Sequence, residues 1–138
     1  EVNLTSAFLL AKASHEALRA RRGSLVLISS TNALNGGSAL SGPAYAVAKA
    51  GVINLARYLA KEWGADGIRV NCVAPGPVDT PMLARLPEST VDSLRKSIPL
   101  GRVATAEDVA ASIAFLCSNQ ASYLTGTVMN VSGGLVLD

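Results

Sequence analysis

The segment Tyr45-Ala46-Val47-Ala48-Lys49 sets a phenol and an ammonium four residues apart, which puts both on one side of a helix. The pair offers a group able to carry a proton beside a fixed positive charge. Alone it is weak evidence, because Tyr and Lys at this spacing ordinarily decorate a solvated face. Its setting is more telling. Ala44, Ala46, Ala48, Ala50 and Gly51 surround the pair, and such small side chains let another group approach the helix closely. Ser30 ends one apolar run and Pro75-Gly76 ends another. Functional groups of an open parallel sheet gather at the carboxyl ends of its strands, so these three segments are expected to converge on one rim.

The elements that must position them follow from hydrophobic periodicity. Leu4, Ala7, Phe8, Ala11, His15 and Leu18 recur at spacings of three and four, which marks one face of a helix ended by Gly23. Leu25-Val26-Leu27-Ile28 is a continuous apolar run, the pattern of a strand buried on both faces. Residues 31–42 are rich in Asn, Gly and Ser and read as loop. A helix opens near Pro43 and runs to about Gly64, with Val52, Leu55, Ala56, Leu59 and Trp63 toward the core. Ile68 to Val73 is the next strand, stopped by Pro75-Gly76-Pro77, and Thr80 to Lys96 is a helical excursion interrupted by Pro87. Thr105 caps a helix with Glu107 and Asp108 in its first turn and Val109, Ile113 and Leu116 on one face. A last strand spans about Val128 to Val131 and ends before Gly133-Gly134. This alternation implies an α/β fold with right-handed crossovers, a parallel sheet and helices on both faces.

A serine at a strand end, Y-x-x-x-K at a helix start, Asn71-Cys72-Val73-Ala74-Pro75-Gly76-Pro77-Val78-Asp79-Thr80, and Leu124-Thr125-Gly126 followed by Val131-Ser132-Gly133-Gly134 together resemble the short-chain dehydrogenase/reductase family over nearly the whole chain. The resemblance is to 3-oxoacyl-carrier-protein reductases and to sugar or polyol dehydrogenases alike. It implies the C-terminal half of a doubly wound Rossmann fold and an oxidoreductase moving hydride between NAD or NADP and an alcohol or ketone carbon. Tyr45 would be the general acid/base, with Lys49 lowering its pKa and holding the nicotinamide ribose. A free phenol titrates near about 10, and lowering it by about three units needs roughly 4 kcal/mol. One cation about 4 Å away supplies on the order of 4 kcal/mol at an effective dielectric near 20. Ser30 would hydrogen-bond the reacting oxygen. The interval from Ser30 to Tyr45 is two residues longer than the family's usual one, so the loop through Asn35-Gly36-Gly37 bulges, and Ser29 and Ser41 stay in view for that role. Asn3 matches an asparagine that holds a water in a proton relay with the lysine, and it is equally a favoured helix N-cap. Pro75 and Gly76 would let the backbone pass close to the nicotinamide, with the Val78 main chain and the Thr80 hydroxyl binding its carboxamide and phosphate; a plain turn would also use that glycine. The loop after Ser30 and the segment from Met82 to Ile98 would set the substrate, with Met82, Leu83, Leu86 and Leu94 as a partly apolar lid or as body packing.

Composition bounds the alternatives. In 138 residues, 49% hydrophobic and 16% charged, there is enough apolar material for one domain with a core. A net charge of +2 from 12 basic and 10 acidic residues leaves no electrostatic footprint for nucleic acid or membrane. Arg19, Arg21 and Arg22 sit at a helix C-terminus, where the helix dipole favours cations. Cys72 and Cys117 read as reduced core residues, no metal-ligand spacing occurs, and the chain is expected to be cytoplasmic. His15, the only histidine, reads as a packed or interface residue, and Arg102 as structural. No G-x-G-x-x-G loop is present, so these residues do not distinguish NAD from NADP. The chain opens Glu1-Val2-Asn3 without Met and enters a helix at once, so the expectation is a single-domain fragment, residues 1–138, lacking a dinucleotide-binding half. The resemblance implies a homo-oligomer, dimer or tetramer, through the helices matching Leu4 to Arg21 and Pro43 to Gly64 and through the C-terminal strand region, and the apolar faces of those helices make a homotetramer the expectation. Two rivals remain: a noncatalytic scaffold or association module, and the epimerase and dehydratase relatives that share Y-x-x-x-K. The intact Ser, Tyr and Lys argue against the first, and Pro75 to Thr80 with Gly133-Gly134 against the second.

Overall fold

The structure is a computed structural model and describes residues 2–137. Its order is α1 (Thr5–Arg21), β1 (Ser24–Ile28), α2 (Asn32–Asn35), α3 (Pro43–Trp63), β2 (Arg69–Pro75), α4 (Glu88–Ser97), α5 (Ala106–Cys117) and β3 (Val128–Val131). Short 3₁₀ turns lie at Gly64–Asp66, Leu83–Arg85 and Asn119–Ala121. The three strands form a parallel sheet in the order β1-β2-β3, with Ile28 opposite Val73 and Pro75 opposite Val131. This is the expected α/β architecture.

Its centre is β2, where Val70, Asn71, Cys72, Val73 and Ala74 are all inaccessible to water. Alternation along the strands separates the two faces. Leu25, Leu27, Val70, Cys72 and Val128 turn toward Ala7 and Ala11 of α1 and toward Val52, Ile53, Ala56, Leu59 and Ala60 of α3. On the other face Ser24 Oγ and Arg69 donate to the Leu116 carbonyl near the end of α5 at 3.3 and 2.7 Å, and Arg69 also reaches the Ser118 carbonyl at 3.1 Å. Asn71 spends its buried amide on the turn before β3, donating to the Leu124 carbonyl at 2.8 Å and accepting from the Thr127 N–H at 3.1 Å. The two longest sequence motifs are thus one hydrogen-bonded unit.

Helix ends carry their own chemistry. Thr105 and Asp108 form a complete capping box, and Arg102 holds both Asp108 carboxylate oxygens at 2.6 and 3.1 Å, which keeps that carboxyl well below the usual carboxylate range. Arg102 is therefore structural, as expected. His15 stacks on Trp63 with ring centroids 4.6 Å apart, and its Nε2 lies 3.4 Å from Asp66, so it too is a packing residue.

Several expectations need correction. The 31–42 segment is not all loop: α2 interrupts it, and Gly36 and Gly37 turn the chain away at φ 85° and 95°. The left-handed residue ending α1 is Arg22, at φ 49°, and Gly23 follows it. Leu4, not Asn3, is the N-cap of α1, and no side chain caps it. Phe8 is 53% exposed, because the buried stripe of α1 runs through Ala7, Ala11 and Leu18. β2 continues to Pro75 rather than stopping at Val73, since the Pro75 carbonyl still accepts from the Thr31 N–H at 2.9 Å. Cys117 is exposed rather than in the core, whereas Cys72 is buried and its thiol is pushed up to about 11 by that burial.

Leu116 is fully buried where α5 meets the sheet. Leu116→Ala should therefore cost about 2–5 kcal/mol of unfolding free energy, read as a shifted urea midpoint at unchanged slope.

Candidate functional site

The carboxyl ends of β1 and β2, the first turns of α3 and the segment after β2 enclose one cleft of about 470 Å³. Ser30, Tyr45, Lys49, Pro75, Gly76, Val78 and Thr80 line it, together with an apolar wall from Leu40, Met82, Leu83 and Leu86. Seven of the eight residues singled out in the sequence therefore share a single concave surface. Asn3, the eighth, borders an adjoining cavity of about 260 Å³ between α1 and β1, where Lys49 is again a wall. Leu94 lines neither cavity.

Ser30 is 7% exposed, and its Oγ accepts from the Asn32 N–H at 3.2 Å, which leaves the hydroxyl proton to be donated. The two serines that competed with it are otherwise engaged. Ser29 Oγ donates to the Lys49 carbonyl at 2.8 Å, and Ser41 Oγ donates to the Ser38 carbonyl at 3.1 Å and lines no part of the cleft. The interval between Ser30 and Tyr45 is filled by α2 and turned at Gly37, where a Cβ would stand 2.9 Å from that of Ala46.

Lys49 Nζ lies 5.7 Å from the centroid of the Tyr45 ring and donates to the Ile28 carbonyl at 3.0 Å. The ammonium is thus held over the ring by a strand-end carbonyl. Partial burial lowers its pKa below the ordinary lysine value of 10.5. The nearby Cys72 thiol, being neutral at ordinary pH, adds no compensating charge there.

The backbone after β2 is built for contact. Val78 bridges to Ala104 through its neighbours: Ala104 N–H donates to the Pro77 carbonyl at 3.0 Å and Asp79 N–H to the Ala104 carbonyl at 2.8 Å. The Val78 N–H and C=O are left unspent among the described residues, a donor and an acceptor matched to a planar amide. The Thr80 hydroxyl is also unpaired among them. Gly76 has a different reason to be glycine. A Cβ there would meet Ser132 Cα at 3.1 Å, so its bareness admits the β3 end while its main chain lines the cleft. The sequence flagged neither Leu40 nor the Ile28 carbonyl; Leu40 is a lone leucine in a polar loop, and a main-chain acceptor leaves no mark in a sequence.

The family profile described as Enoyl-(Acyl carrier protein) reductase matches residues 1–136. The 3-oxoacyl-[acyl-carrier-protein] reductase of Chlamydia muridarum is 46% identical over 118 residues, which cover 86% of this chain and 47% of that protein. Human (3R)-3-hydroxyacyl-CoA dehydrogenase is 42% identical over 138 residues, 99% of this chain and 52% of its own length. A crystal structure of a Burkholderia thailandensis oxidoreductase of the short-chain dehydrogenase/reductase family superposes with a TM-score of 0.86 at 42% identity, covering 97% of this chain and 53% of that one. The chain belongs to the short-chain dehydrogenase/reductase family. It spans about half the length of the relatives it matches. In this short-chain dehydrogenase/reductase the cleft is lined by polar groups of Ser30, Tyr45, Lys49 and Thr80 together with the apolar side chains of Leu40, Met82, Leu83 and Leu86. Among the described residues no helix is long and apolar enough to cross a membrane, and no group of His, Cys, Asp and Glu could hold a metal ion.

The lowered pKa of Lys49 has a signed consequence for stability. Below its folded value both states hold the proton and the desolvation cost is fully present. As pH rises through that value toward 10.5 the folded chain binds fewer protons than the unfolded one, so this site's contribution to stability rises with pH. The stability of the protein relative to Lys49→Met should therefore increase across that window, measured by urea unfolding at a series of alkaline pH values.

Proposed function

We propose that this cleft is the catalytic site of an oxidoreductase that moves hydride between a nicotinamide dinucleotide, NAD or NADP, and an alcohol or carbonyl carbon. The observation that carries this reading is the convergence of Ser30, Tyr45 and Lys49 with the unspent Val78 amide and Thr80 hydroxyl in one cleft. A nicotinamide lodged against Pro75 to Thr80 supplies or accepts the hydride when bound. The residues of the chain do the rest. In the reducing direction Ser30 donates a hydrogen bond to the carbonyl oxygen and polarises it. Tyr45 delivers the proton to that oxygen, and the Lys49 ammonium stabilises the phenolate that remains. Lys49 would also hold the ribose, and Asn3, which borders the adjoining cavity, would hold a water that returns the proton.

The substrate proposed is a carbonyl bearing an apolar tail, of the 3-oxoacyl thioester class. Leu40, Met82, Leu83 and Leu86 offer a tail dispersion contact and no hydrogen bonds, whereas a polyol would bury hydroxyls there without partners. The names of the Chlamydia and human relatives agree with an acyl substrate. A homo-oligomer, dimer or tetramer, is also proposed, because Phe8 of α1 and Val47 and Tyr58 of α3 are 53%, 72% and 61% exposed.

The test is steady-state kinetics of the full-length enzyme with a 3-oxoacyl thioester and with a polyol, for the unaltered protein and for Tyr45→Phe. The reading expects the thioester to be reduced with the higher kcat/KM. It also expects Tyr45→Phe to lose about 100- to 10,000-fold in kcat while cofactor binding persists. Turnover unchanged in Tyr45→Phe would overturn it, and cofactor binding without any turnover would move a scaffold role to the front.

A further inference from the structure

We infer that Ser29 is a positioning residue for the proposed reaction: its hydroxyl, by gripping the main chain of Lys49, sets where Tyr45 stands relative to Ser30. The inference rests on the functional reading of the cleft. Ser29 is 3% exposed at the end of β1, where an alanine would fill most of the same space. A buried hydroxyl left without a partner costs about 1–3 kcal/mol, so the direction in which it finds one is informative. It donates to the Lys49 carbonyl at 2.8 Å, and that carbonyl lies inside α3, where it already accepts from the helix's own N–H ladder. The hydroxyl takes the second lone pair.

A return bond makes the contact a clamp. Lys49 Nζ donates to the carbonyl of Ile28, the residue next to Ser29, at 3.0 Å. Two adjacent residues at the strand end thus hold one residue of α3 by both its main chain and its side chain. The strand end is itself fixed, because Ser29 N–H donates to the Val73 carbonyl at 2.8 Å and Thr31 N–H to the Pro75 carbonyl at 2.9 Å. Drawing the Lys49 main chain about 1 Å away from Ser29 would stretch that 2.8 Å bond past useful length. Tyr45 is one turn from Lys49 on that helix, and Ser30 is one residue from Ser29 on that strand. The clamp therefore fixes the distance between the two groups that must meet a single substrate oxygen. Ser29 has no direct part in the chemistry, since its proton is spent on Lys49.

A misplacement near 1 Å can lower the rate by about 100-fold, so the readout is kcat. In the full-length enzyme Ser29→Ala is expected to lower kcat about ten- to hundredfold with KM for the cofactor within twofold, and Ser29→Thr, which keeps the donor, to recover most of it. Val52→Ala, buried in the same helix away from the cleft, serves as the stability control and is expected to lower Tm while leaving kcat within twofold. If Ser29→Ala keeps its kcat while Tyr45→Phe loses activity, the positioning role is overturned and the reading of the cleft stands. If Val52→Ala lowers kcat as much as Ser29→Ala does, general loosening explains the loss and the inference is overturned. Unchanged turnover in Tyr45→Phe overturns both.

Discussion

Because Val70 through Ala74 are sealed from water on both faces, every N–H and C=O of that stretch has to find a partner inside the protein. β1 supplies partners on one edge, and β3 with the turn before it supplies them on the other. Asn71, the polar residue in this run, is tolerated because its amide is satisfied at both ends by that turn. The parallel pairing then dictates that β1 and β2 end at the same rim, with Ile28 opposite Val73. Everything proposed for the cleft depends on that shared ending.

At the rim, three kinds of group are forced together. Strand-end carbonyls no longer needed by the sheet, such as that of Ile28, become acceptors for the Lys49 ammonium. The first turns of α3 come close because Ala46 packs on Gly37 and Leu4 packs where Gly51 has no side chain. The chain leaving β2 is held by Gly76 N–H on the Val131 carbonyl and by the bridge at Val78, which satisfies the neighbours of Val78 and leaves its own N–H and C=O unspent among the described residues. Lys49 is the point where these requirements pull against one another. Burial disfavours its charge, while the Ile28 carbonyl and the Tyr45 ring favour it, and the net result is a lysine that holds its proton less firmly than usual.

Much of this was legible in the sequence for physical reasons. β1 was legible as a continuous apolar run, although of its residues only Leu27 is buried and Ile28 is 40% exposed; β2 was legible despite Arg69 and Asn71, whose polar ends are taken up by neighbouring carbonyls, and β3 was placed at its observed bounds. Tyr45 and Lys49 were legible because helical spacing alone puts them on one side. Other features left no such trace. Phe8 looked like core because it falls at helical spacing, yet the small residues Ala7 and Ala11 are what lets α1 lie close to β1. Cys117 follows the apolar run Ile113-Ala114-Phe115-Leu116 at the end of α5 and still faces water. Gly76 was read for the cleft that it lines, and nothing in the sequence signals that its missing side chain also admits the neighbouring strand end. Ser29 and Ser30 are chemically identical neighbours that both border the cleft, and only the position of α3 separates the one whose hydroxyl braces the helix from the one whose hydroxyl proton stays free.

Transfer of a labelled hydride probes the proposed chemistry at its core. The full-length enzyme would be given a 3-oxoacyl thioester with NADH and NADPH deuterated at the reactive carbon of the nicotinamide, and the product examined by mass spectrometry and NMR. Deuterium bonded to the new carbinol carbon, at one atom per turnover, is the predicted result. Cofactor binding with no deuterium reaching the carbonyl carbon would contradict the assignment of this cleft as a site of hydride transfer.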